Sequence, residues 1–232
     1  MNNHGLFSAK VLDILEVATD TKHFSFEILN ADVSFSAGQF FLLSVSEKIS
    51  RAYSIASAPS LLPRFDLLIK RVPNGAATEK FLWKKKIGDV LSFRGPMGRF
   101  LIDDPTKKQI LIATGTGLAP MRAFWQELLS QKNPPEVHLF FGVRSEEFLF
   151  CQKELLDLQK KNKNFSATIC LSRPAQKNDF FCGRVTDAIS KKEKNFFSKA
   201  EISLCGSREM INDAKKILEE KKFSGKINIE SW

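Results

Sequence analysis

"QILIATGTGLAPMRAFWQELL", residues 109–129, begins as a nearly continuous apolar run, turns at two glycines, and resumes with apolar residues at helical spacing. A strand apolar on both sides belongs in a parallel sheet covered on both faces, and the helix that follows supplies one of the covers. Gly115 and Gly117 let the backbone approach a ligand closely, and the helix start offers N–H groups to a pyrophosphate. This is not the strict G-x-G-x-x-G, because alanine and proline follow, and a plain structural turn stays open as the alternative reading.

Downstream the alternation continues. "EVHLFFGV", "FSATICLS" and "AEISLCG" read as strands, and "FLFCQKELLDLQKK", a stretch after Gly183 and "REMINDAKKILEEKKF" read as helices. Strand–helix alternation implies an α/β domain built on a parallel sheet. Upstream the rhythm differs. "LFSAKVLDILEVA", "HFSFEIL", "QFFLLSV", "RAYSIAS", "FDLLIKRV" and "DVLSFRGP" are short alternating strands separated by turn formers, the pattern of an antiparallel barrel. One helix is expected within this part, over "ATEKFLWKK" (77–85). The fold class is therefore α+β with two domains, a β-barrel over 1–104 and an α/β domain over 105–232.

Composition is that of a globular chain, 43% hydrophobic and 26% charged in 232 residues. No apolar run reaches the roughly 20 residues that span a bilayer, and the N-terminus lacks a secretory pattern. A cytoplasmic, monomeric protein without membrane attachment is expected. Cys151, Cys170, Cys182 and Cys205 are scattered with no C-x-x-C pair, which argues against an iron–sulfur cluster, a zinc site or a disulfide framework. The net charge of +9 comes from lysine clusters such as "WKKKIG" and "KKEKN". These are either solvated surface or a face for an acidic partner. No nucleic-acid-binding module accompanies them.

Four short stretches carry candidate chemistry. "RAYS" holds the single tyrosine of a chain with 21 phenylalanines. Tyr53 offers a stacking face and a hydroxyl that needs a partner, Arg51 can grip a phosphate, and Ser54 can donate to a ring nitrogen. Together they fit a flavin; singly they are residues of an ordinary strand. "LSRP" places Ser172 and Arg173 at a strand's carboxyl end, where nucleotides bind, with Arg144 and Arg184 at neighbouring loop ends. "LCGSREM" brings Cys205 and a glycine to a strand–helix junction, where a flat ring or plain packing would fit equally.

Taken in order, "AGQFF", "RAYSIASAP", "IKRVPNGAAT", "GPMGRF", "ATGTGLAPMRA", "FGVRSEEFLF", "LSRP" and "LCGSREM" resemble the ferredoxin–NADP reductase superfamily over almost the whole chain. The resemblance implies a flavin-binding barrel, a nicotinamide nucleotide-binding domain and an active site in the cleft between them. It implies that Tyr53 packs on the isoalloxazine, that Arg51 meets the FAD pyrophosphate, and that Ser54 lies near flavin N5. Gly75, Ala76, Ala77 and Thr78 would form a second phosphate-binding segment, with the Thr78 hydroxyl as a donor, and Leu68, Ile69 and Lys70 would line the ribityl side. Thr114, Gly115, Thr116 and Gly117 would cradle the nicotinamide nucleotide's pyrophosphate. Cys205 would sit beside the nicotinamide. Arg144, Ser172, Arg173 and Arg184 fit the positions that recognise the adenosine 2′-phosphate, which favours NADP(H). Two such arginine contacts at roughly 1.5–3 kcal/mol each correspond to about 10²–10⁴-fold over NADH.

The end, "IESW", is similar to the Glu-x-aromatic terminus of several of these reductases, with Trp232 as a ring over the flavin and Glu230 as the accompanying acid. The activity implied is electron transfer between NADP(H) and an acidic one-electron carrier, ferredoxin or flavodoxin, by hydride transfer between nicotinamide C4 and flavin N5. A flavin reductase or an oxygenase's reductase component shares the same motifs.

Overall fold

The computed structural model describes residues 5–231. Its first sheet comprises β1 (Leu6–Ala18), β2 (Thr21–Ile28), β3 (Phe40–Ser46), β4 (Ile49–Ser54), β5 (Arg64–Lys70) and β6 (Val90–Met97), all antiparallel in the order β4-β3-β6-β1-β2-β5. The two edges meet just past the end of β4. Ile55 forms a bridge to Leu67, and Ala56 N–H donates to the Asp66 carbonyl at 2.8 Å, so the sheet closes into the expected barrel.

Inward-facing phenylalanines fill the barrel. Phe7, Phe24, Phe26, Phe41, Phe65 and Phe93 are all buried, and the rings of Phe41 and Phe65 meet edge to face at 5.0 Å, those of Phe65 and Phe93 at 5.4 Å. Edge-to-face packing suits the ring quadrupole, and phenyl rings bring no hydroxyl that would need a partner inside. The residue usage noticed in the sequence thus follows from a dry core.

The helix expected over 77–85 does not form. Lys80, Leu82 and Trp83 N–H reach back five residues, to the carbonyls of Gly75, Ala77 and Thr78, and a single 3₁₀ turn, Leu82–Lys84, follows. The Thr78 hydroxyl is tied to both backbone groups of Val72, accepting from its N–H at 3.0 Å and donating to its carbonyl at 3.2 Å. The chain that leaves this anchored turn winds more widely than an α-helix.

The second part runs β7 (Gln109–Thr114), α1 (Leu118–Leu129), β8 (Val137–Val143), α2 (Gln152–Lys161), β9 (Phe165–Leu171), β10 (Phe181–Cys182), α3 (Val185–Ser190), β11 (Glu201–Gly206), α4 (Arg208–Glu220) and β12 (Ile227–Ser231). The strands are parallel in the order β10-β9-β8-β7-β11-β12. Leu111 and Ala113 of β7 join the core under α1 and α2, while Ile110 and Ile112 join the core under α3 and α4. The chain leaves β7 toward β8 on one side and returns to β11 on the other, so the carboxyl ends of β7 and β11 flank the topological switch point where ligands bind in such sheets.

Polar groups fasten the two parts together. The buried Glu201 carboxylate accepts from the N–H groups of Asp103 and Asp104 at 2.8 and 3.1 Å and from Asn228 Nδ2 at 2.6 Å, holding the connecting segment against β11 and β12. Ala58 N–H donates to Gln126 Oε1 at 2.9 Å, and Arg122 of α1 donates to Ala56 and Asp66 of the barrel. Barrel residues Ala37, Ala56, Leu68 and Phe100 belong to the same apolar cluster as Phe124 and Trp125 of α1.

Candidate active site

A cleft of about 750 Å³ opens where the barrel meets the carboxyl ends of the parallel strands. Thr114, Gly115, Thr116, Arg144, Ser172, Arg173 and Arg184 line one side, and Lys70 with Asp20 and Thr21 line the barrel side. Gly115 adopts φ +52, a left-handed conformation that glycine reaches without steric cost. Gly117 has a packing role of its own. It is absent from the cleft wall, and a Cβ there would run into the Cys205 carbonyl, so glycine at 117 lets the start of α1 pack directly on β11.

The arginines of the cleft are not equivalent. Arg184 Nη1 donates to Glu209 Oε1 at 2.7 Å, so its charge is already partnered. The guanidinium groups of Arg144 and Arg173 have no partner among the described residues. Their backbones are linked by Arg173 N–H donating to the Arg144 carbonyl at 2.7 Å, which sets the two side chains on adjacent strand ends. Two unpaired guanidinium groups at the ends of β8 and β9 fit a phosphate-bearing nucleotide.

On the barrel, Arg51 is exposed and donates through Nη1 to the Ser50 carbonyl at 2.8 Å. Tyr53 and Ser54 are half-buried at the end of β4, and burial pushes the Tyr53 phenol up to about 12, with Arg51 pulling modestly the other way. Tyr53 therefore stays a neutral hydroxyl. Leu68 faces the domain boundary and Lys70 the cleft, where its Nζ lies 3.1 Å from Asp20 Oδ2. Ile69 points the other way into the barrel core at 1% exposure, because successive strand residues alternate faces, so it can offer a ligand only its backbone.

In segment 72–79 some backbone N–H groups have protein acceptors and others do not. Asn74 N–H donates to Glu79 Oε2 at 2.6 Å and Gly75 N–H to the Val72 carbonyl at 2.9 Å. The N–H groups of Ala76, Ala77 and Thr78 have no protein acceptor among the described residues, although Ala77 and Thr78 are buried. N–H groups without a protein acceptor can receive an anionic oxygen such as that of a phosphate. The Thr78 hydroxyl, expected as a further phosphate donor, is instead committed to Val72.

Ser54 Oγ donates to Glu230 Oε2 at 3.0 Å, joining β4 to β12. Glu230 pairs in register with Cys205, which is 1% exposed. Burial, reinforced by the Glu230 charge, pushes the Cys205 thiol far up, so it is protonated. Burial also raises the Glu230 carboxyl, with the Ser54 hydrogen bond opposing in part. Ser54, Cys205 and Glu230 are thus brought together. Trp232 lies outside the described residues.

Sequence reasoning missed the acids of the cleft, Asp20, Asp187, Glu209 and Asp213, and it missed Phe148 and Phe150 in its wall. Glu209 was within reach of the sequence, because it sits in the same "LCGSREM" stretch as Cys205.

Comparison with known proteins agrees with this geometry. The family model "Oxidoreductase FAD-binding domain" matches residues 8–102, and "Oxidoreductase NAD-binding domain" matches residues 111–216. Ferredoxin--NADP reductase B of Sorangium cellulosum is 33% identical over 172 residues, 72% of this chain and 70% of that protein. The anthranilate 1,2-dioxygenase electron transfer component of Acinetobacter baylyi is 28% identical over 220 residues, 91% of this chain but 63% of the relative. Several other relatives, among them propane 2-monooxygenase reductase components, are likewise matched over only about half to two thirds of their length. The crystal structure of the Amycolatopsis cytochrome P450 reductase GcoB superposes with a TM-score of 0.88 at 26% identity, covering 98% of this chain and 69% of that one. With both domain families matched in order and the cleft lying between them, the chain belongs to the ferredoxin–NADP reductase superfamily of FAD- and nicotinamide nucleotide-binding oxidoreductases.

Proposed function

We propose that the chain exchanges electrons between NADP(H) and a one-electron protein carrier, an acidic ferredoxin or flavodoxin, with residues 1–104 as the FAD-binding unit and 105–232 as the nucleotide-binding unit. The observation that supports this reading is the Ser54–Glu230 hydrogen bond, which joins the end of a barrel strand to the parallel sheet. FAD, when bound, supplies hydride exchange with the nicotinamide and release of single electrons.

The protein's own residues supply position and charge. Arg51 and the N–H groups of 76–78 would hold the FAD phosphates, and Tyr53 would support the ring system. Arg144 and Arg173 would take the adenosine 2′-phosphate, with Ser172 beside them, and Thr114 to Thr116 would hold the pyrophosphate. Ser54, held by Glu230, would orient its hydroxyl toward the reacting edge, while the neutral Cys205 thiol would present an uncharged wall to the nicotinamide.

The lysine clusters give an acidic carrier its electrostatic attraction, and a cytoplasmic monomer is the corresponding cellular form. Among the described residues no helix is long and apolar enough to cross a membrane.

A second reading, the reductase module of an oxygenase or a free-flavin reductase, is favoured by the relatives named as oxygenase components. NADPH oxidation by the purified protein with ferredoxin, flavodoxin or free FMN as acceptor separates them. Fast turnover with a protein carrier that falls with added salt supports the first reading, and turnover with FMN alone replaces it with the second.

A further inference from the structure

Arg122 stands on α1, the helix that begins directly after the glycine turn of the nucleotide cleft, and its side chain is largely buried at 15% exposure. Its guanidinium reaches three elements at once. Nη1 donates to the Ala56 carbonyl at 2.7 Å and to Asp66 Oδ2 at 2.9 Å, and Nε donates to both oxygens of Glu154 on α2 at 3.0 and 2.9 Å. Asp66 also accepts from Ser25 Oγ at 2.8 Å, and His23 Nε2 lies 3.2 Å from it, so β2 and β5 are drawn into the same cluster. Ala56 lies two residues past Ser54. One guanidinium therefore grips the segment just past β4, which carries Tyr53 and Ser54, and belongs to the helix that follows the glycine turn.

We infer that Arg122 is a positioning residue for electron transfer, a rigid coupling that fixes the distance between the flavin-side strand and the nucleotide cleft. A lysine could not replace it, because a single ammonium on a flexible stem cannot meet the Ala56 carbonyl, Asp66 and Glu154 in one planar arrangement. Misplacement of reacting groups by about 1 Å can cost on the order of 10²-fold in rate, while binding of each cofactor to its own domain is retained. The inference rests on the hydride-transfer reading above.

The test uses FAD-loaded full-length protein carrying Arg122→Met, Arg122→Lys or the pair Arg122→Met with Asp66→Asn. Flavin bleaching by NADPH in a stopped-flow instrument reads the transfer rate, titration calorimetry with NADP+ reads binding, and scanning calorimetry reads whether the domains unfold together. Arg122→Met is expected to slow transfer by about 10- to 100-fold, keep the NADP+ Kd within about threefold, and split one unfolding transition into two. Arg122→Lys should fall between. The paired variant, which leaves Asp66 uncharged, should recover thermal stability without recovering the rate, and it carries the test if Arg122→Met alone does not fold.

The inference is overturned if Arg122→Met transfers at the wild-type rate, if Kd weakens in step with the rate, or if the paired variant regains both stability and rate. A wild-type protein that binds FAD and NADP+ yet shows no bleaching would instead sink the hydride-transfer reading, and the calorimetric splitting would still report on the coupling.

Discussion

Ser54 and Glu230 lie 176 positions apart in the chain and share a hydrogen bond of 3.0 Å. The contact joins the end of a barrel strand to an edge strand of the parallel sheet, and Cys205 lies in register beside the acid. Since each residue orients the other, their substitutions should not add. Ser54→Ala and Glu230→Gln are each expected to slow hydride transfer by about 10- to 100-fold, and the double variant should be little worse than the poorer single one. Stopped-flow reduction across the double-mutant cycle checks this; strictly multiplicative losses would show that the two act independently.

Glu230 also makes a prediction about stability. Its carboxyl is raised in the folded state, so ionisation as pH rises past the ordinary glutamate range costs folding free energy until the folded value is passed. Glu230→Gln should therefore unfold at the same or higher denaturant concentration than wild type at neutral pH, while losing activity. Urea titrations at acidic and neutral pH should show any gain only at the higher pH.

Asp66 behaves in the opposite sense. Burial pushes its carboxyl up, but the close approach of His23, the Ser25 hydrogen bond and the Arg122 charge together hold it below the usual range. The stability it contributes is present above the unfolded value and is lost as pH falls through the lower folded value. Asp66→Asn should flatten the acid limb of the stability–pH profile, measured by urea unfolding at stepped pH.

Arg144 and Arg173 are predicted to carry the preference for the phosphorylated nucleotide. Replacing either with alanine should raise the KM for NADPH by about 10- to 100-fold and leave that for NADH nearly unchanged. Glu209→Gln should act the other way, freeing Arg184 for the nucleotide and increasing the NADPH:NADH ratio of kcat/KM several-fold. Steady-state kinetics with both nucleotides decide, and a parallel loss with NADH would assign these arginines to a shared part of the ligand.

Gly117→Ala tests the packing of α1 on β11. The added methyl would meet the Cys205 carbonyl, and overpacking of that kind costs about 1–3 kcal/mol. A lowered unfolding midpoint with unchanged Arg144 and Arg173 phenotypes is the expected result.

Periodicity carried most of the architecture. The strand over 6–18 forms over the bounds its alternation marks, and the strand–turn–helix at 109–129 forms where its apolar runs place it. The stretch 77–85 misled because its apolar spacing is helical, whereas its backbone bonds span five residues and its threonine hydroxyl is tied to Val72, and no pattern of hydrophobicity reports either. β12 escaped notice because "INIES" is short and lies at a sheet edge. Thr114, Gly115, Thr116, Arg144, Ser172 and Arg173, which the structure brings to one cleft, all lie in short local motifs. Ile69 was not legible in this way, since the alternation of β5 had to be phased against the closed barrel before its inward direction could be known. Arg122, Asp66 and Glu201 were hidden for another reason: each owes its role to partners far along the chain, and only the assembled boundary between domains brings those together.

Of the three tryptophans, the two among the described residues fall one to each side of that boundary. Trp125 is fully enclosed by the α1 core, and Trp83 is half-buried against the barrel with Lys22 Nζ 5.0 Å from its ring. An indole in each domain makes the chain its own two-channel optical gauge. In single-tryptophan variants, a barrel that loosens while the parallel sheet stays intact would shift the emission of Trp83 alone. Loss of cooperation between the halves could then be followed by fluorescence without an attached label.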